Sequence, residues 1–481
     1  MINLKEHFKL TAVYTIFAAF PAMLQLIVYP IIEGDNRLGP EDFGYLAITE
    51  VIISLVFTIV LFGTGNGLAR LYYDKRENML AFNRLVSNVL TGILARGFFL
   101  FGLSVLFTPL LGGIFSHTEL QNFGEYGPHA FISGLNRAII FMAVVLYRHQ
   151  KKLLPFVIVS LFSGLFRSGF QVAGVLFYDM SFRGYVYGTA IGGGLVALCI
   201  VFYLYHQKGF HFNKQVNRSL YAFSTPLFFS ELIFWGLLFG DRFFLLANPG
   251  SLGIYDNAMK FAVGVQFIIQ GLSAGVQPEI FRFFKQGVKQ TGENIKKLAS
   301  LFMAESLLIV GLAILPVMAF IHLFYQTQLQ LSAGIVAIIF IRFILRAQYL
   351  IFSWPVMYSK KTIYFFVINI LILAVNLTIN AFLTPKIGYY GAIIAFTFAA
   401  ILQVSLFYFI QQKIMPISWN LKKLLFFPLG IVLLAALLET AKWIFDIHSW
   451  LTALMLVFSI LLGLTLVYKN EIVKYFGKKK L

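Results

Sequence analysis

Five arginines stand inside long apolar runs of this 481-residue chain: Arg96, Arg137, Arg167, Arg342 and Arg346. Counted inward from the nearest polar break, each falls near the middle of its run. A guanidinium at hydrocarbon depth costs roughly 2.5–3.5 kcal/mol on insertion scales, so it must face water, a partner or an enclosed interior. Three acids lie at similar depth: Glu50, Glu231 and Glu305. If each acid pairs with one arginine, two cations remain over. An interior with excess guanidinium suits an anion bearing several oxygens, because the planar fork meets phosphate in two parallel hydrogen bonds. The competing reading is a set of interhelical ion pairs that only fix packing. Arg96, Arg137, Arg167, Arg342 and Arg346 are therefore the candidate anion-binding set. Glu50 and Glu231 are candidates for coupling to H+ or Na+.

A second group of charges flanks a turn in GDRFFLLANPGSLGIYDNAMKFAVGV, residues 240–265. Asp241 and Arg242 close one apolar run, and Asp256 and Lys260 open the next. The i, i+4 spacing of Asp256 and Lys260 puts both on one helix face and permits a local salt bridge. At the end of a span these four read as an outer rim, a gate or an interface anchor rather than the place where cargo charge is met. No metal or cofactor site is expected. Cys199 is the one cysteine, and the eight histidines are scattered, with no paired spacing on one helix face. No GxxxxGK[ST] or HExxH motif occurs, and no loop holds a carboxylate cluster.

The elements that must position these residues are set by composition. Hydrophobic residues make up 59% and charged residues 12% of the chain, against roughly 25% charged in ordinary soluble domains. Apolar runs of about 20–28 residues recur, enough to cross ~30 Å of hydrocarbon at 1.5 Å per residue. Fourteen such runs are predicted, near 9–32, 43–68, 84–113, 127–147, 153–177, 183–205, 219–246, 252–281, 297–323, 330–358, 362–384, 387–411, 422–443 and 448–468. Their length rules out barrel strands, which alternate and need only about ten residues. Pro21, Pro226, Pro278, Pro316 and Pro355 are expected to kink their helices.

Charge distribution sets the orientation. With the N-terminus cytoplasmic, that side carries 27 lysines and arginines, whereas the opposite loops carry four: Arg37, Arg183, Lys386 and Lys442. This is the positive-inside pattern. It accounts for most of the formal charge of +18 without any nucleic-acid partner. The basic connections at 206–218 and 282–296 are expected to lie along the anionic inner leaflet. Every loop is too short for a soluble catalytic domain, and the terminal lysines read as part of the positive-inside tail.

Two sequence echoes suggest a repeat. LGPEDFGYLAI (38–48) and PGSLGIYDNA (249–258) each place an apolar residue, Gly44 or Gly253, and a tyrosine at a helix entry. YGTAI (187–191) and YGAII (390–394) open two later helices. Both echoes are offset by about six spans, as expected of a parallel repeat with its axis along the membrane normal. The resulting expectation is an all-α polytopic membrane protein with about 14 transmembrane helices. Two six-helix lobes surround a central cavity, and two C-terminal helices are appended. The predicted divisions are 1–205, a basic linker at 206–218, a second lobe at 219–411, and 412–481.

LGPEDFGYLAI, DRFFLLANPGSLGIYDNAMKFA, QPEIF and PKIGYYGAIIA together resemble the polysaccharide-transporter family. These are the O-antigen and capsule repeat-unit flippases of the multidrug/oligosaccharidyl-lipid/polysaccharide exporter superfamily. The resemblance covers nearly the whole chain. It implies a polyprenyl-diphosphate-linked glycan as cargo, moved from the cytoplasmic to the outer leaflet of a bacterial inner membrane, with both termini cytoplasmic. Glycan polymerase or ligase machinery follows as a potential partner. In such proteins cationic cavity residues engage the diphosphate; the assignment of that role to Arg96, Arg137, Arg167 and Arg342 rests on depth, because none lies in the quoted motifs. Alternatives are a lipid II flippase, a drug or cation antiporter of the same superfamily, and a membrane glycan polymerase or ligase. An antiporter would favour acids in its cavity, and a polymerase or ligase a long outer loop.

Overall fold

A computed structural model of the chain describes residues 4–75, 78–116, 118–211, 213–361 and 363–469. Arg76 and the tail residues Lys474, Lys478, Lys479 and Lys480, counted above on the cytoplasmic side, lie outside them. The described residues form sixteen α-helices and no strand beyond one isolated bridge, Glu33 to Leu38. Thirteen helical segments are long and apolar enough to cross a membrane, and the first helix adds a shorter apolar stretch, Ile16–Ile32. This is the helical membrane fold that composition predicts. Irregular backbone cannot be hydrated inside hydrocarbon, so spans of this apolarity must close their hydrogen bonds within the helix.

Packing divides the chain after Gly253. The first unit holds α1 (Leu4–Ile32), α2 (Pro40–Leu61), α3 (Thr64–Lys75), α4 (Met79–Leu106) and α5 (Thr108–Gly113). It continues with α6 (Phe123–His149), α7 (Leu153–Ala173), α8 (Phe182–Lys208) and α9 (Lys214–Leu245). The sequence echoes start a second lobe at residue 219. The packing division falls later because α9 lies against α2, α3 and α4. Two predicted spans are interrupted. The run at 43–68 breaks at Phe62–Gly63 into α2 and α3, and the run at 84–113 breaks at Phe107 into α4 and α5. At the first break Phe62 and Gly63 both take positive φ, 52° and 66°. That left-handed pair ends a helix whatever its hydropathy.

Close helix pairs in this unit depend on residues without side chains. Gly184, Gly188 and Gly192 recur every fourth position of α8, on the face toward α7. A Cβ added to Gly188 would stand 2.0 Å from the Phe170 carbonyl oxygen, and one on Gly192 would stand 2.5 Å from that of Phe166. Small residues in this spacing let two membrane helices approach backbone to backbone. The turn echo is equally tight. A Cβ on Gly44 would meet the Pro249 carbonyl oxygen at 2.0 Å, and one on Gly253 that of Pro40 at 2.0 Å.

The second unit holds the body of α10 (Pro249–Gln286), then α11 (Val288–Phe324), α12 (Ala333–Tyr358) and α13 (Ile363–Ile387). It ends with α14 (Tyr389–Ile414), α15 (Phe427–Phe445) and α16 (Ser449–Val467). The most enclosed helix is α12, packed by α11, α14 and α15. Gly391 stands to α13 as Gly188 stands to α7, its added Cβ 2.5 Å from the Thr384 nitrogen. Helix α13 also carries a buried polar ladder at i, i+4 spacing. Thr384 Oγ1 donates to Asn380 Oδ1 at 2.9 Å, and Asn380 Nδ2 donates to the Asn376 carbonyl at 3.0 Å. In apolar surroundings such groups satisfy one another.

Candidate functional site

The structure brings Glu50, Arg137 and Arg167 together, from α2, α6 and α7. Arg137 Nη1 donates to Glu50 Oε1 at 2.7 Å, and Arg167 Nη2 donates to Glu50 Oε2 at 3.4 Å. One carboxylate therefore serves two guanidinium groups, and the trio keeps one net positive charge. The Arg137 side chain is 41% exposed and its guanidinium lies over the Phe57 ring, 5.2 Å from the centroid. Arg167 is more enclosed, and its Nε is buried with no acceptor.

Behind Arg167 lies a chain of uncharged groups that hydropathy does not reveal. Tyr185 donates its hydroxyl to Gln25 Oε1 at 2.6 Å, and Gln25 Nε2 donates to Gln171 Oε1 at 2.9 Å. Gln171 Nε2 in turn donates to Thr189 Oγ1 at 2.8 Å. This network joins α1, α7 and α8 and fixes the wall against which Arg167 stands. The amides of Gln25 and Gln171 inside apolar runs were the available sequence signal.

Arg96 is occupied differently. Its Nε donates to the Val60 carbonyl at 2.8 Å, its Nη1 donates to the Tyr221 hydroxyl, and its guanidinium lies 5.5 Å from the Tyr221 ring centroid. Val60 is in the last turn of α2, where the helix stops at Phe62 and the last carbonyls lose the amide donors that a continuing helix would supply. The Leu61 carbonyl is taken by the Thr64 hydroxyl, and that of Val60 by Arg96. Arg96 thus caps a helix end within the bundle and ties α2, α4 and α9. Tyr221→Phe is expected to lower stability by about 1.5–3 kcal/mol, the range for a hydrogen bond to a charged group. Thermal unfolding of the purified protein reads this. The loss should vanish in an Arg96→Ala background, and an undiminished loss there would remove the pairing.

In the second unit Arg342 is 9% exposed. Its guanidinium carbon stands 3.4 Å from the Phe396 ring centroid, and Nη1 lies 2.7 Å from Met259 Sδ. Arg346, one turn on, lies 4.6 Å from the Tyr349 centroid and has a buried Nε with no acceptor. Arg342 and Arg137, placed at similar depth by the sequence, each lie against an aromatic ring, Phe396 for the first and Phe57 for the second.

Among the described residues, Glu231 and Glu305 do not join these arginines. Glu231 accepts from Asn66 Nδ2 at 3.0 Å, linking α9 to α3. Glu305 forms no ion pair among the described residues. Arg242 and Asp241 pair at 3.1 Å, with side chains 7% and 5% exposed, and Arg242 also donates to the Leu238 carbonyl at 2.7 Å. Lys260 and Asp256 form the i, i+4 bridge at 2.9 Å. Asp241, Arg242 and Asp256 are enclosed by protein, unlike side chains that anchor a helix in water. No cluster of three or more His, Cys, Asp or Glu suited to a metal ion occurs among the described residues.

The sequence matches the profile of a family described as polysaccharide biosynthesis protein over residues 37–335. A comparison with curated proteins finds no match. Among solved structures, the lipid II flippase MurJ in an inward closed conformation superposes with a TM-score of 0.70 at 17% identity, covering 96% of this chain and 100% of its own. The Vibrio cholerae MATE transporter VcmN, as its D35N mutant, gives 0.59 at 14% identity, with 87% and 98% covered. The eukaryotic MATE transporter AtDTX14 gives 0.51 at 16%, with 89% and 99% covered. These likenesses establish a shared fold.

Proposed function

Because the chain belongs to the polysaccharide biosynthesis protein family, we propose that it is a flippase for a polyprenyl-diphosphate-linked oligosaccharide. It carries the glycan from the cytoplasmic to the outer leaflet of the bacterial inner membrane by alternating access, with both termini cytoplasmic. It acts as a transporter and not as an enzyme, handing cargo to the polymerase or ligase machinery of surface polysaccharide assembly. The observation that carries this reading is the sharing of Glu50 by Arg137 and Arg167, which leaves net positive charge and a donor-bearing face inside the first unit. A diphosphate supplies oxygens enough to take both forks.

Within this scheme Arg137 and Arg167 make first contact with the diphosphate, and Arg342 and Arg346 act in the second unit. Arg96 contributes by holding α2. Glu50 is the coupling group, since an arriving diphosphate competes with its carboxylate for the same two cations. A carboxylate so displaced gains affinity for H+ or Na+. Glu231, hydrogen-bonded to an amide alone, is the second coupling candidate. The pairs Asp241–Arg242 and Lys260–Asp256 serve as gate elements.

A second reading, lipid II as cargo, draws on the likeness to MurJ and demands the same diphosphate chemistry. Depletion of the protein separates the two. The expected result is accumulation of a polyprenyl-diphosphate oligosaccharide on the cytoplasmic leaflet, with lipid II still reaching the outer one. Accumulation of lipid II alone would transfer the assignment to the second reading, and normal display of every surface glycan would reject both.

A further inference from the structure

The first unit contains a cavity of about 250 Å³ at the opposite end of α4 from its break with α5, lined by Ala81, Arg84, Asn213, Gln215, Val216 and Ser219. A single water takes ~30 Å³ of liquid volume, so the space is several waters large. It lies where α4 and α9 begin, on the side the charge pattern makes cytoplasmic.

The polar lining is rich in donors. Arg84 has no hydrogen bond or ion pair among the described residues, which leaves its planar fork available. The backbone of Asn213 is clamped by Asn88: its N–H donates to Asn88 Oδ1 at 3.0 Å, and its carbonyl accepts from Asn88 Nδ2 at 3.4 Å. Asn213 Oδ1 is taken up in capping α9, accepting from the Gln215 and Val216 N–H groups at 3.0 Å each. What Asn213 has left over is its side-chain NH2. Among the described residues, no carboxylate lines the cavity. Helix α4 contains no acidic residue, and the chain from His206 to Ser230 has none either, while it supplies Lys208, Lys214 and Arg218.

Apolar side chains beside the cavity indicate the source of the anion. Met79 and Leu80, which precede Ala81 and Arg84 on α4, are 68% and 51% exposed, and Phe210 is 68% exposed. A free phosphate has no use for such neighbours, whereas acyl chains do.

We propose that this cavity is a binding site for the phosphodiester headgroup of an anionic membrane lipid, with Arg84 as its principal ligand and the Asn213 amide as a second donor. It is separate from the Glu50–Arg137–Arg167 cluster and does not depend on the identity of the cargo. Phosphate recognition here has the bidentate form open to arginine and closed to lysine.

The test is native mass spectrometry of the full-length purified protein titrated with phosphatidylglycerol, phosphatidylcholine or inorganic phosphate. The wild-type protein should retain phosphatidylglycerol at least tenfold more strongly than phosphatidylcholine. Arg84→Gln should abolish that preference, and Arg84→Lys should restore only part of it. Ser219→Asp, which adds a like charge at an exposed position, should lower phosphatidylglycerol retention about tenfold and serves if Arg84→Gln does not fold. Equal phosphatidylglycerol retention by wild type and both charge-changing variants would overturn the proposal. Displacement of phosphatidylglycerol by equimolar inorganic phosphate would overturn its assignment to a lipid.

Discussion

Arg137→Ala and Arg167→Ala are each expected to reduce export of the lipid-linked glycan about 10- to 100-fold while the protein remains at normal level in the membrane. Removing one arm of a charge-assisted contact costs about 1.5–3 kcal/mol, and each 1.4 kcal/mol is a factor of ten in affinity. The two arginines share one acceptor, so deleting either leaves Glu50 with the other. No carboxylate is stranded, which is why export should fail before folding does. Glu50→Gln is the informative companion. It frees both guanidinium groups, so binding of a soluble diphosphate mimic should strengthen even as transport stalls for want of a group to reset the site. Wild-type export from both alanine variants would return the trio to a purely structural role. The same assay on Arg342→Ala asks whether the second unit contributes; loss of export with normal protein level is expected there too.

Gly188→Val is expected to have the larger effect on the protein itself. Its side chain would begin 2.0 Å from the Phe170 carbonyl oxygen, and that oxygen belongs to a backbone that cannot rotate away. Overpacking a core typically costs 1–3 kcal/mol when side chains can yield. Here helix must part from helix along the α7–α8 seam, so the loss should lie at or above about 3 kcal/mol. The measurable outcome is a strong fall in membrane-inserted full-length protein and in thermal stability. Gly391→Val should do the same to α13–α14. A Gly188→Val protein with normal stability would mean that α7 and α8 are not packed backbone to backbone.

These two predictions differ in how much the sequence disclosed. Hydropathy and the one-sided bias of lysine and arginine were enough for the helical membrane fold, because crossing hydrocarbon is a constraint on composition. The glycine echo at Gly188 and Gly391 was visible as a pattern, and its reason is visible only in packing: both residues let a helix lie against its predecessor. Depth was legible for the arginines, whereas direction was not. A run of apolar residues reports how far a charge lies from water and says nothing about which way around the helix it points relative to distant neighbours. Hence the sequence does not say that one acid, Glu50, meets two arginines, or that Glu231 meets Asn66. Arg96 was grouped with the others by depth, yet its partners are a carbonyl and a tyrosine. The break at Phe62–Gly63 that creates the need for it is a backbone event inside an apolar run, and hydropathy averages over it. The burial of Asp241, Arg242 and Asp256 is hidden from the sequence for a related reason: a charge near a span end looks alike whether lipid headgroups or protein cover it.

The break between α2 and α3 has a bearing on permeability. A helix that stops within a membrane bundle exposes carbonyl oxygens, and the usual partner for such oxygens is water. Water threading to that depth would offer protons and small ions a file to follow each time the bundle flexed. Arg96 fills the vacancy with a tethered guanidinium, reaching Val60 from another helix and roofed by aromatic rings. The carbonyl is satisfied by a group that cannot diffuse away, and its positive charge repels protons and other cations that would leak. A flippase of the kind proposed must open wide without becoming a channel. At this seam the insulation is built into the joint.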